Sequence, residues 1–317
     1  MRLLFAGTPE VALPSLKALI DSSHDVVAVL TRPDAPSGRK RALTPSPVKI
    51  AAEVAGIEVL TPAKTSDPML AQRLIELGVE AAPVVAYGGL IPPALLALPN
   101  RGWVNLHFSL LPSWRGAAPV QHAIMAGDEL TGATTFMLEH GLDTGPTLGL
   151  LTERVRPDDT AGAVLDRLSH AGAKLLLDSL DALEAGTAAL QPQAGMGVSH
   201  APKLSAEDAR INWARPAYAV DRQVRGCTPS PGAHTTLRGQ RLKIYPVVPI
   251  IECGDGSQEP QLAPGELRVA RTEVLVGTAQ GCVRLSQVQP PGKQPIPAAD
   301  WARGAQLQPG DALGADN

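Results

Sequence analysis

Three cysteines in 317 residues, Cys227, Cys253 and Cys282, are odd in number and widely spaced, so neither a disulfide framework nor a zinc cluster is indicated. No H-x-x-x-H or H-E-x-x-H spacing sets two ligands on one helical turn. A centre built from His107, His122, His140 and Asp143 is therefore disfavoured, and no metal is expected. No apolar run approaches the roughly 20 residues of a membrane span. The opening MRLLFAG enters a strand without the pattern of a cleavable signal, so a cytoplasmic location with no membrane partner is expected. Positive charge is also short: the net charge of -3 leaves no global attraction for polyanions, and any such site must be a local patch. The G-x-G-x-x-G fingerprint is missing, since only Gly7 stands in the turn GTPE, which counts against a dinucleotide. The G-x-S-x-G elbow is missing too, because Ser109 is followed by Leu110, Leu111 and Pro112, and no cysteine lies nearby.

What is present is a soluble globular profile, 44% hydrophobic and 19% charged, long enough for two domains. RLLFAG (2–7) reads as a buried strand, Thr8 and Pro9 as the start of a helix reaching Ile20, and DVVAVLT (25–31) as the next strand. Strand, helix, strand opens a parallel sheet of the α/β class. Helices are expected near 47–55 and 68–77, a further strand at 81–87, and strands at 134–138 and 148–155. Leucines at three-, four- and seven-residue spacing predict a long amphipathic helix over 160–185. The α/β domain thus takes residues 1–186. Periodicity is lost over 187–203, which reads as a linker. Residues 204–317 carry short strand-like runs at 241–248, 273–278 and 282–289 after a short helix, the pattern of a small β-barrel.

The candidate site lies in VNLHFSLLPSWRGAAPVQ (104–121) and HGLDTG (140–145). Alternation along the first stretch delivers Asn105 and His107 to one face at the carboxyl end of a strand, where open α/β sheets keep ligands. Asp143 sits between Gly141 and Gly145 on a tight loop. An amide, an imidazole and a carboxylate without a nucleophile suit direct acyl transfer between two bound substrates. The Asn105 amide and a protonated His107 would stabilise an oxyanion, with Asp143 orienting His107, favouring its charged form and helping to move the amine's proton. The bland alternatives are a hydrogen-bonded structural histidine and a turn-forming aspartate. YGGLIPP (87–93) reads either as a stiff apolar lip for a flat ring or as an ordinary strand-to-helix turn.

Residues 32–49 form a proline-rich loop in which Arg32, Arg39, Lys40, Arg41 and Lys49 face the single anion Asp34. Such a loop is either a solvated charged loop or an arm for a nucleic-acid backbone. Over 203–250 there are eight Lys and Arg against three Asp and Glu, a local excess of five positive charges.

NLHFSLLPSWRGAAPVQ and GLDTG together resemble the signature of the folate-dependent formyltransferases. FAGTPE, PSPVK, VVAYGG and KLSAEDARINW extend the resemblance in the right order from residue 1 to about 250. It implies a Rossmann-like formyltransferase domain followed by an OB-like barrel. It also implies 10-formyltetrahydrofolate as donor and, for the members matched most closely, the α-amino group of methionine on initiator tRNA as acceptor. Carried over by position, the catalytic residues are Asn105, His107 and Asp143. Ser109, Leu110, Leu111 and Pro112 match the folate-contacting loop, while Tyr87, Gly88, Gly89 and Leu90 match the pterin wall. Arg39, Lys40, Arg41, Lys203 and Arg210 are the implied tRNA contacts, and a monomer is expected. YGGLIPP has one more glycine than many relatives, so a locally looser wall is expected. The rival readings are transfer to an amino-sugar nucleotide or a purine precursor, a nicotinamide-dependent oxidoreductase, and a non-catalytic RNA-binding protein.

Overall fold

A computed structural model describes residues 1–37, 42–250, 262–308 and 310–315. The chain forms two units, one of residues 1–119, 130–154 and 165–200, the other of residues 120–129, 155–164 and 201–317.

In chain order the first runs β1 (Arg2–Gly7), α1 (Leu13–Ile20), β2 (Asp25–Leu30), β3 (Ala35–Ser37), β4 (Ala42–Thr44), α2 (Pro47–Val54), β5 (Glu58–Leu60), α3 (Pro68–Glu76), β6 (Ala82–Val85), α4 (Pro93–Leu96) and β7 (Trp103–His107). Then come α5 (Pro119–Ala126), nearly all of it in the second unit, β8 (Leu130–Met137), β9 (Thr147–Arg154) and α6 (Ala161–Glu184), most of it in the first. Seven strands make one sheet, ordered β5-β2-β1-β6-β7-β8-β9. Pairing is parallel from β5 to β7 and antiparallel from β7 to β9. β1 is apolar and buried along almost its whole length because neighbours and helices cover it on all sides. β9 alternates between half-buried and exposed residues, as an edge strand does. Leu4, Ala6, Leu30, Val84 and Trp103 share a core with Leu70 and Leu74 of α3 and Leu95 of α4.

Local chemistry explains most starts. Ser46 and Asp67 cap α2 and α3 by accepting from Lys49 N and Met69 N, each helix beginning with proline. The first helix differs from expectation: a 3-10 turn over Glu10–Ala12 precedes α1, and Thr8 is no cap. Its hydroxyl instead donates to the Tyr87 carbonyl at 2.8 Å, joining the ends of β1 and β6. The loop 32–49 is also more structured than its prolines suggested. β3 and β4 pair in it as a hairpin, and the Lys49 ammonium binds the Asp34 carboxylate at 2.8 Å. Arg39, Lys40 and Arg41 lie outside the described residues.

The second unit continues with α7 (Ala217–Gly226), β10 (His234–Leu237), β11 (Gln240–Ile244), β12 (Val247–Ile250), β13 (Leu267–Val269), β14 (Val274–Gly277), β15 (Cys282–Leu285), β16 (Gln287–Gln289), β17 (Ile296–Pro297) and α8 (Ala298–Ala305). Two four-stranded antiparallel sheets are ordered β10-β11-β16-β17 and β12-β15-β14-β13. Only Tyr245 and Pro246 separate β11 from β12, and only Ser286 separates β15 from β16. Two long strands therefore bend from one sheet into the other, with Tyr245 N bonded to Gln287 O across the corner. Trp213, Val220, Val224, Val276, Val283, Leu285 and Trp301 fill the core. Inside α7, Asp221 and Arg225 form a buried ion pair at 2.8 Å, and Arg225 also donates to the Asp159 carbonyl at 2.9 Å. Cys227 is a buried free thiol whose pKa burial pushes up to about 11. Cys282 is disulfide-bonded, for which the odd count and wide spacing gave no signal. No helix among the described residues is long and apolar enough to cross a membrane.

Candidate active site

The sheet switches direction between β1, whose chain turns to β2 on one side, and β6 on the other. Crevices open at the carboxyl ends of strands at such points. Here a cavity of about 630 Å³ is lined by the residues following β6 (Ala86–Ile91), the end of β7 (Asn105–Phe108), Gly116 and Ala117, and the loop 138–143, all within the first unit. Its size is in the range of small-molecule sites.

Strand pairing fixes the two side chains on β7. Asn105 lies between Val84 of β6 and Phe136 of β8, and His107 opposite Thr134. Both line the cavity, as their two-residue spacing predicts. His107 is buried, its ring edge-on to Phe136 with centroids 6.4 Å apart. Its Nε2 lies 2.9 Å from the Trp114 carbonyl oxygen, and its Nδ1 lies 3.8 Å from Asp143 Oδ2. A carbonyl can only accept, so Nε2 carries a proton and, in the neutral ring, Nδ1 presents a lone pair towards Asp143. Asp143 is buried on a backbone with φ of 51°, and its Oδ2 accepts from Gly116 N at 2.7 Å.

Burial pushes the His107 pKa below its ordinary 6.5, against the opposing pull of Asp143 and of the Trp114 carbonyl. The sequence had suggested that Asp143 would hold His107 charged. Desolvation outweighs that pull and favours the neutral ring, which charges when a proton reaches Nδ1.

The other candidates separate into three groups. Tyr87, Gly88, Gly89 and Leu90 line the cavity. Tyr87 is buried, and a Cβ on Gly89 would come within 2.6 Å of its ring. The extra glycine therefore marks a tight wall, not a loose one. Ser109, Leu110, Leu111 and Pro112 turn away behind the site and do not line the cavity. Ser109 donates to Ser113 O at 2.6 Å, Thr134 donates to Ser109 O at 2.7 Å, and Leu110 packs against Gly132. Lys203 is exposed and Arg210 half-buried in the second unit, where Arg210 forms a backbone bridge with His234. Of the histidines considered as metal ligands, His140 lines the cavity, whereas His122 belongs to the second unit and meets the Pro202 carbonyl at 2.9 Å.

Sequence reasoning missed three contributors. Trp114 and Gly116 act through main-chain groups, which carry no side-chain signature. Gln193, in the aperiodic stretch after α6, donates to the carbonyls of Asp143 and Gly145, both at 2.8 Å.

The formyl transferase family model matches residues 1–180, and that of the formyl transferase C-terminal domain matches residues 203–306. The chain belongs to the formyl transferase family. Among its relatives, the methionyl-tRNA formyltransferase of Salinispora arenicola is 56% identical over 313 residues, covering 99% of this chain and 100% of the relative. That of Acidothermus cellulolyticus is 59% identical over 320 residues, covering 98% and 99%. The fold is shared with an N-formyltransferase from Helicobacter canadensis, solved with folinic acid and dTDP-3-aminofucose. It has a TM-score of 0.66 and 15% identity, and the match covers 93% of this chain and 100% of that one. In this family's terms the cavity fits a folate donor. The Tyr87 ring and the side chains of Val84, Ile91, Leu96 and Leu138 supply apolar walls for a flat ring beside the main chain of 86–91.

Proposed function

We propose that this chain is a cytoplasmic, monomeric enzyme that transfers a formyl group from 10-formyltetrahydrofolate to the α-amino group of methionine on initiator methionyl-tRNA, for translation initiation. The observation that carries the reading is the convergence of Asn105, His107 and Asp143 on one cavity in a chain whose full-length relatives at 55–59% identity are methionyl-tRNA formyltransferases. The first unit performs the transfer and the second binds RNA; residues 187–200, expected as part of a linker over 187–203, belong to the first unit, where Gln191 pairs with Thr147.

The donor supplies a carbonyl carbon to the attacking amine. As its oxygen gains negative charge, the Asn105 amide donates to it, a contribution commonly of about 10²- to 10³-fold in rate. The attacking nitrogen becomes acidic once bonded to carbon, and His107 Nδ1 takes its proton. The new imidazolium then lies beside the Asp143 carboxylate and is stabilised where it forms. Returning that proton to the departing folate nitrogen completes the exchange: one C–N bond forms, one breaks, and His107 is neutral again. The Gly116 amide keeps the carboxylate aimed at Nδ1. Tyr87, Gly88, Gly89 and Leu90 hold the folate ring, with Ser109, Leu110, Leu111 and Pro112 fixing the loop behind it. Arg39, Lys40, Arg41, Lys203 and Arg210 contact tRNA phosphates, positioning the acceptor end. The chemistry assigned to the trio requires no metal.

Transfer of labelled formyl to methionyl initiator tRNA, methionyl elongator tRNA, free methionine and an amino-sugar nucleotide tests the reading. Product on the initiator tRNA alone is expected. Product on the sugar nucleotide, or on none of the four, overturns it.

A further inference from the structure

We propose that Gln193 is a positioning residue that sets the separation of His107 and Asp143 by clamping the loop that carries Asp143 to the segment that follows His107. The proposal rests on the functional reading above and adds a residue from outside the two motif-bearing stretches.

Residues 191–200 cross the first unit as a strap. One end pairs with β9, where Thr147 and Gln191 exchange main-chain hydrogen bonds at 2.8 and 2.9 Å. At the other end, Ser199 Oγ accepts from Trp114 N at 2.9 Å, and Ser199 O accepts from Arg115 N at 2.9 Å. Trp114 is the residue whose carbonyl accepts the hydrogen bond from His107 Nε2. Gln193 lies between these anchors. Its Nε2 donates to the carbonyls of Asp143 and Gly145, and its Oε1 accepts from an Arg115 guanidinium nitrogen at 2.6 Å. Arg115 immediately precedes Gly116, whose amide holds the Asp143 carboxylate.

The chemistry of the three partners specifies a glutamine. Two carbonyls require two N–H donors, the guanidinium requires an acceptor, and only a side-chain amide offers both. A glutamate keeps the Arg115 contact but sets carboxylate oxygens against two carbonyls. A methionine of similar reach makes neither contact. The clamp also has strain to hold, because Asp143 has a left-handed backbone that non-glycine residues adopt reluctantly. At Gly145 a Cβ would overlap the Met137 carbonyl. With His107 Nδ1 and Asp143 Oδ2 at 3.8 Å and no direct hydrogen bond between them, their spacing is set by the loops.

The test combines Gln193→Met and Gln193→Glu with Asp143→Asn in the full-length protein. Misplacing a reacting group by about 1 Å costs about 10²-fold, so kcat is expected to fall tenfold to hundredfold in both Gln193 variants, with KM for donor and acceptor changed less than threefold. A readout independent of activity is the NMR titration midpoint of His107. Asp143→Asn is expected to lower it in the wild-type background and to lower it by less than half as much in either Gln193 background. Equal shifts in all backgrounds, or a kcat within twofold of wild type in either single variant, would overturn the proposal. If the wild-type protein formylates none of the acceptors, the functional reading fails, whereas the titration still decides the role of Gln193.

Discussion

Two buried charge pairs, one in each unit, are built to opposite ends. Asp221 and Arg225 lie on one turn of α7, meet at 2.8 Å, and Arg225 is further bonded to the Asp159 carbonyl. His107 and Asp143 come from β7 and a distant loop and stand 3.8 Å apart. Burial works on both, raising the Asp221 pKa against the pull of Arg225 and lowering that of His107 against the pull of Asp143. The difference lies in what remains open. The closed pair leaves its guanidinium bonded on two sides. The open pair leaves one ring nitrogen facing a carboxylate across a gap beside a cavity, so a proton arriving there is stabilised on arrival. On the proposed mechanism, the open pair is completed by the proton that the substrate supplies, whereas the closed pair is complete without one.

Reciprocal substitutions give the largest test of that contrast. Asp143→Asn should reduce formyl transfer by about 10³-fold, the middle of the range for losing acid–base assistance, with the urea midpoint nearly unchanged. Asp221→Ala leaves Arg225 buried without its counter-ion. It should cost about 3–5 kcal/mol of stability by urea denaturation, while activity per folded molecule stays within twofold. Loss of both stability and rate in both variants would dissolve the distinction.

Next in size is the pH dependence. If His107 takes the amine's proton as proposed, the reactive imidazole is the neutral one, and kcat/KM should fall tenfold per pH unit on the acid side. The midpoint should lie below 6.5, because burial lowers the His107 pKa. A midpoint at or above 6.5 would mean that Asp143 outweighs desolvation and that His107 starts the reaction charged. The smallest effect concerns the cavity wall. Gly89→Ala sets a Cβ 2.6 Å from the buried Tyr87 ring, which must shift to admit it. Overpacking of this kind costs about 1–3 kcal/mol, and KM for the folate donor should rise several-fold with kcat little changed. An unchanged KM would show that this stretch is only a turn.

The gap between reading and structure follows the range of each signal. Strand periodicity and a two-residue spacing put Asn105 and His107 on one face, and pairing with β6 and β8 carries them to the cavity. The prolines of residues 32–49 signal a loop and mask the short pairing of β3 with β4. Thr8 before Pro9 suits the start of a helix, but its hydroxyl bonds instead to the Tyr87 carbonyl, beyond the end of β6. Gln193 was invisible, since nothing in an aperiodic QPQ stretch tells which loop it will meet.

By itself, the sequence determined the α/β order, the change to short antiparallel strands after residue 200, and the identity of the amide, imidazole and carboxylate. Periodicity and side-chain chemistry are local properties written residue by residue. Tertiary structure alone decided that burial lowers the His107 pKa, that a gap separates it from Asp143, and that main-chain groups of Trp114 and Gly116 and the Gln193 amide bond to the segments around that gap. Desolvation and spacing depend on which distant segments fold over a group, and no stretch of sequence carries that information alone.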